Sequence, residues 1–167
     1  MIPVAKPLID DVEKQKVMEV LDSGMLSIGK TVQEFEQAFA QYTGAKYAIA
    51  ASSGTTALHL ALKASGVQAG DKVLTTPFSF VATANSILYS GAIPVFCDVE
   101  DKTFNMDPDK IEQYLESTPG IKALLIVHLY GHPCDMDKIM ALVEKYNLIL
   151  IEDAAQGVLA KYKDQWL

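Results

Sequence analysis

The sequence predicts an α/β fold, a mostly parallel sheet flanked by helices. Three observations carry this. Short apolar runs alternate with amphipathic segments along the chain, the pattern of repeated strand–helix units. The candidate strands are continuous apolar runs, not alternating ones, as strands buried on both faces require. Between them, apolar residues recur at helical spacing.

Taken in order, residues 1–45 read as two helices joined by a loop, Ser23–Lys30, with glycines at 24 and 29. Val32, Phe35, Phe39 and Tyr42 mark one face of the second. Tyr47–Ala51 is the first candidate strand, and Thr55–Ala64, apolar nearly all round, is expected to be a buried helix. Further strands are expected at Lys72–Thr75, Ile93–Cys97, Ala123–His128 and Leu148–Glu152. Asp107-Pro108 has the form of an N-cap followed by proline at the first helical position. Asp135 is placed to cap a helix carrying Met136, Ile139, Met140, Val143 and Tyr146. After Ala154 only a short polar stretch ending in Trp166-Leu167 remains, with no closing helix or edge strand expected. A buried strand so near the end suggests that more chain once followed. No internal repeat or linker is visible.

Composition narrows the function classes. The 167 residues are 50% hydrophobic with a net charge of −7, enough for one real core and too apolar for disorder. No basic run is available to neutralise phosphates, which argues against nucleic acid as a partner. Cys97 and Cys134 are too few for a disulfide framework. Residues 1–10 lack the pattern of a signal peptide, and the apolar runs at 123–127 and 148–151 are far too short to span a bilayer. A soluble, cytoplasmic protein without membrane contact is expected.

Several segments have the chemistry of a site. Ser52-Ser53-Gly54-Thr55-Thr56 lies between a strand and a helix. Such a turn presents N–H groups and hydroxyls to a phosphate at a helix N-terminus, or its Ser and Thr simply cap the helix. Neither G-x-G-x-x-G nor G-x-x-x-x-G-K-[ST] is present, against a dinucleotide or NTP site. Glu152-Asp153 stands at a strand's carboxyl end, where open α/β sheets bind ligands. A carboxylate there either holds a proton on a heterocyclic nitrogen or serves as a cap or ion-pair partner. In Thr76-Pro77-Phe78-Ser79-Phe80 an aromatic ring either stacks on a flat cofactor or packs in the core. His128 and His132 flank Tyr130-Gly131, but no third metal ligand stands at suitable spacing, and no metal is expected. His59 is expected to be a core or interface histidine.

Together these segments resemble the DegT/DnrJ/EryC1/StrS family of pyridoxal-phosphate (PLP) sugar aminotransferases. The resemblance runs through Ser23-Gly24, Gly29, Phe35-Glu36, Ser53-Gly54-Thr55-Thr56-Ala57-Leu58 and Thr76-Pro77-Phe78-Ser79-Phe80-Val81-Ala82-Thr83. It continues through Gly91-Ala92-Ile93-Pro94-Val95, Asn105-Met106-Asp107-Pro108, Val127-His128-Leu129-Tyr130-Gly131 and Ile151-Glu152-Asp153-Ala154-Ala155-Gln156. No single piece is decisive; the ordered set is specific.

The resemblance implies a fold-type I large domain, with residues 1–167 as its N-terminal part (1–45 helical, 46–167 the α/β core) and the C-terminal small domain absent. It implies that Gly54, Thr55 and Thr56 cradle the PLP phosphate, Phe80 stacks on the ring, Asp153 pairs with the ring nitrogen and Gln156 lies near the phenolic oxygen. Glutamate as amino donor, a keto-sugar nucleotide as acceptor and a homodimer are implied with it. The family's Schiff-base lysine belongs to a segment some tens of residues past Asp153. Tyr162-Lys163 matches a surface turn that precedes it, so neither Lys161 nor Lys163 is assigned that role. The 167 residues alone are therefore expected to be inactive. His132 departs from the glutamine common in the family. Relatives with histidine in place of the lysine are PLP-dependent sugar dehydratases, an alternative left open here. A non-catalytic ligand-binding or regulatory role is the other.

Overall fold

A computed structural model describes residues 6–167. The chain divides into two compact units at Ala50/Ala51.

The first unit holds α1 (Asp11–Ser23) and α2 (Lys30–Thr43), the two expected helices. Asp10 caps α1 with a reciprocal capping box: its carboxylate accepts the Val12 N–H at 2.8 Å and its own N–H donates to Glu13 Oε2. Gly24 and Gly44 close the two helices in the left-handed conformation, with φ of 69° and 74°. The expected strand Tyr47–Ala51 does not form. A strand exists only through a ladder, and here the Ala50 N–H donates instead to the Glu36 carboxylate at 2.7 Å. Tyr47 and Ile49 stay exposed.

The second unit is a three-layer sandwich. Its parallel sheet has β1 (Lys72–Thr75), β2 (Ile93–Phe96), β3 (Ile121–Val127) and β4 (Ile149–Asp153) in the order β2-β1-β3-β4. Side chains alternate between faces. Val73, Ala123, Leu125 and Ile151 pack with Leu58 and Leu62 of α3 (Gly54–Ala64) and Ile87 of α4 (Ala82–Tyr89). Leu74, Leu124 and Ile126 pack on the other face with Ile111 of α5 (Pro108–Ser117) and Ile139 and Leu142 of α6 (Met136–Tyr146). Asp107 and Asp135 cap α5 and α6 as expected, accepting the N–H groups of Asp109 and Lys138.

Three expectations need correction. The inner strands β1 and β3 are buried on both faces, but β2 is an edge strand whose Ile93 and Phe96 are exposed. Helix α3 buries one face only: Leu58 and Leu62 are covered while Leu60 is 50% exposed, because it packs on a sheet and on α4 and is not surrounded. Finally, the polar stretch after Ala154 does make strands. β5 (Lys161–Tyr162) and β6 (Gln165–Trp166) form an antiparallel hairpin. Its two turn residues, Lys163 and Asp164, both have positive φ, at 48° and 66°, the requirement of a hairpin turn that matches strand twist.

Sheet order fixes where a ligand can sit. The chain leaves β1 to one side for β2 and returns to the other for β3. This is a topological switch point, and the crevice opens at the carboxyl ends of β1 and β3. The loops after β1, β3 and β4 all emerge there.

Candidate active site

Strand alternation sends the two acidic residues of β4 to opposite faces. Asp153 shares its face with Ile151, toward α3 and α4; Glu152 points to the α5/α6 side. Asp153 is only 7% exposed, and its carboxylate is held on both oxygens. Thr83 Oγ1 lies 2.8 Å from Oδ2, and the Ala155 N–H donates to Oδ1 at 3.2 Å. Glu152 makes a hydrogen bond within the protein: its Oε2 stands 2.9 Å from His128 Nε2. His128 is fully buried, and its Nδ1 accepts the Cys134 N–H at 3.2 Å. Nδ1 is thus the acceptor and Nε2 carries the proton toward Glu152. Both ring nitrogens are engaged in the protein's own bonds.

Helix α3 begins at Gly54. Ser53 caps it, its Oγ accepting the Thr56 N–H at 3.2 Å. Thr56 Oγ1 lies 3.0 Å from Ser53 Oγ and 3.2 Å from Ser52 Oγ. The capping reading therefore holds for Ser53, and it uses only one of the first-turn N–H groups. Those of Gly54 and Thr55 have no acceptor within the described chain. A Cβ built on Gly54 would meet nothing within 4 Å, so packing does not demand the glycine.

Phe80 follows β1 and is 74% exposed, so the core-packing alternative fails for it. Phe78 is spoken for by Phe104, with ring centroids 5.7 Å apart. The Thr83 N–H donates to the Phe80 carbonyl at 3.0 Å, which ties the exposed ring to the residue that touches Asp153. Gln156 follows β4, and its Oε1 accepts the Tyr130 N–H at 2.7 Å. The bond fixes the amide's orientation, because only the oxygen can accept, and leaves the NH2 group available. Asn105 is the brace behind this contact: its side chain accepts the Leu129 N–H and donates to the His132 carbonyl, clamping both ends of the Tyr130 turn.

The structure thus places Phe80 after β1 and Asp153 and Gln156 at the end of β4, at the same end of the sheet with β3 between the two strands, and sets α3 on the face toward which Asp153 points. Among the described residues no hydrogen bond links the α3 N-terminus to the other three. Thr83 and Asn105 were not singled out as site residues from the sequence. Their partners are distant in the chain, and no local pattern announces such contacts. His59, half-buried, meets the edge of Tyr89 at 6.2 Å.

Comparison with known proteins decides the family. Residues 7–167 match the DegT/DnrJ/EryC1/StrS aminotransferase family. The chain belongs to this family. The GDP-perosamine synthase of Caulobacter vibrioides is 47% identical over 163 residues, covering 97% of this chain and 43% of that protein. The crystal structure of an aminotransferase from Psychrobacter cryohalolentis superposes with a TM-score of 0.92 at 42% identity, over 99% of this chain and 42% of the other. A GDP-4-keto-6-deoxymannose-3-dehydratase, solved with a trapped PLP-glutamate geminal diamine, superposes with a TM-score of 0.90 at 29% identity, over 99% and 44% of the two chains. The chain spans less than half the length of the curated relatives it matches, for example 42% and 43% of two of them and 45% of a GDP-perosamine synthase from Escherichia coli O157:H7. No helix among the described residues is long and apolar enough to cross a membrane.

Proposed function

We propose that these residues form the cofactor-binding part of a PLP-dependent aminotransferase that passes an amino group, supplied by glutamate, to a keto-sugar nucleotide. The observation that carries the reading is Asp153, a buried carboxylate at a strand's carboxyl end, gripped on both oxygens yet retaining acceptor capacity on each.

The other groups suit the same cofactor end by end. The N–H groups of Gly54 and Thr55, without an acceptor among the described residues, stand at the positive end of α3, where a phosphate dianion is favoured. The empty space beside Gly54 leaves room for its oxygens. The exposed Phe80 ring offers a flat face. The oriented NH2 of Gln156 can donate to a phenolic oxygen, and Asp153 can hold a proton on a pyridine nitrogen. PLP held in this way supplies a protonated ring that draws electrons from the reacting carbon of the substrate.

No lysine within the 167 residues is assigned to the Schiff base. Lys161 Nζ lies 4.1 Å from the centre of the Trp166 ring, and Lys163 pairs with Asp137. We therefore expect the 167-residue polypeptide to bind the cofactor without turnover.

Titration with pyridoxamine phosphate tests the site without needing that lysine. Saturable binding is expected, with pyridoxamine lacking its phosphate binding far more weakly. Absence of binding, or equal affinity for the two compounds, would sink the reading. Incubation with PLP, glutamate and a panel of keto-sugar nucleotides, followed by mass spectrometry, is expected to give no amino-sugar product. Turnover, or a borohydride-stable adduct on Lys161 or Lys163, would show that this chain carries its own Schiff-base lysine.

A further inference from the structure

Resting on the reading of Asp153 as the partner of the cofactor's ring nitrogen, we propose that Thr83 is the positioning residue for that carboxylate, itself set by Ser79. Thr83 lies in the first turn of α4 and is 1% exposed. Its Oγ1 contacts Asp153 Oδ2 at 2.8 Å and Ser79 Oγ at 2.9 Å.

The direction of this chain of bonds follows from the inventory of protons. An ionised carboxylate only accepts, so the single Thr83 hydroxyl proton goes to Asp153. Thr83 Oγ1 must then accept from Ser79. The order is Ser79 to Thr83 to Asp153, and no other assignment satisfies all three groups.

The hydroxyl's orientation is itself informative. Ser and Thr inside helices commonly turn back to the carbonyl of the preceding turn. Two neighbouring hydroxyls do so: Ser86 Oγ, inside the helix, donates to the Thr83 carbonyl at 2.8 Å, and Ser90 Oγ, at its C-cap, to the Ser86 carbonyl at 3.0 Å. Thr83 instead reaches across to β4. With the Ala155 N–H on Oδ1, the carboxylate is held from two different elements and cannot swing. The Thr83 N–H meanwhile anchors the Phe80 carbonyl. One helical turn thereby sets the stacking ring and the carboxylate in a common register.

The test is the affinity for pyridoxamine phosphate of Thr83→Val, Thr83→Ser, Asp153→Asn and the Thr83→Val/Asp153→Asn double variant. Thr83→Val keeps the shape and removes the donor, and is expected to weaken binding about tenfold, as for loss of a hydrogen bond to a charged group. Thr83→Ser should restore it, and the double variant should bind no worse than Asp153→Asn alone. Affinity for inorganic phosphate should be the same in all four. If Asp153→Asn weakens binding while Thr83→Val does not, Thr83 has no positioning role. If Thr83→Val costs as much in the Asp153→Asn background, it acts through folding and the proposal fails. If Asp153→Asn itself changes nothing, the reading beneath it falls first. Should Thr83→Val not fold by circular dichroism, Ser79→Ala decides: it leaves the threonine's packing intact, so weaker cofactor binding with unaltered phosphate binding supports the relay, and unchanged cofactor binding overturns it.

Discussion

Burial acts on single side chains according to what waits for them inside. Asp153 meets a hydroxyl and an N–H. Cys97 and Cys134 donate to carbonyls, those of Asp98 and Val127, and are otherwise enclosed largely by apolar side chains. Desolvation pushes both thiols up to about 12, from an ordinary value of 9.0, with the nearby Asp107 charge adding to it at Cys97 and the Glu152 charge at Cys134. Only the thiolate attacks disulfide reagents. Native protein at mildly alkaline pH is therefore expected to resist a thiol-exchange reagent that labels both cysteines at once in denaturant. Rapid labelling of either in the native state would contradict this. The same shift has a sign for stability. A proton held more tightly in the folded state keeps its contribution in full below the unfolded value, and the contribution is lost as pH climbs from about 9 toward 12. At this scale the sequence was legible where chemistry is local. The Ser53–Thr56 turn and the carboxylate closing β4 announce themselves by position. Thr83 did not, because its partner lies 70 residues away and no spacing rule reaches that far.

Elements begin and end on a few such local contacts. Asp107 accepts the Asp109 N–H at 2.9 Å, and Pro108 occupies the first helical position of α5, where its missing N–H costs nothing. Asp107→Ala is expected to lower stability by about 1 kcal/mol, seen as a lower urea midpoint with an unchanged slope. An unchanged midpoint would mean that the helix start is held by packing alone. Caps at Asp107 and Asp135 were readable because Asp before a helical period has one common use. The capping box of α1 was equally available as Asp10-x-x-Glu13 but was not singled out. Tyr47–Ala51 has the composition of a strand and lacks a ladder. Composition speaks of the side chains' preference for a pleated surface, whereas a strand also requires a neighbour that no local window reveals. The single-sided burial of α3 has the same origin. Leu58 and Leu62 face the sheet, while Leu60 points away, and only the tertiary arrangement separates them.

For the molecule as a whole, parallel pairing was legible because continuous apolar runs separated by amphipathic helices permit little else. The order β2-β1-β3-β4 was not, since β1 can take its next neighbour on either side. That order matters most for the proposed function, because it creates the crevice at the carboxyl ends of β1 and β3, the end of the sheet at which Phe80, Asp153 and Gln156 lie. It also makes β2 an edge. Pro94 sits in the middle of β2 and removes one donor, which disfavours strand addition there. The helical layer beside it is less protected. Leu60 of α3 and Leu88 and Tyr89 of α4 are all exposed, on two helices that pack together. Exposed apolar groups favour association. The net charge of −7 opposes it through repulsion, and salt screens that repulsion. Sedimentation velocity is therefore expected to show species larger than one chain, increasing with both protein and salt concentration. Leu88→Ser/Tyr89→Ser should shift the distribution toward monomer without lowering the melting temperature appreciably, since both side chains already face solvent. A single monomeric boundary over a wide concentration range at high salt would show that this surface drives no association.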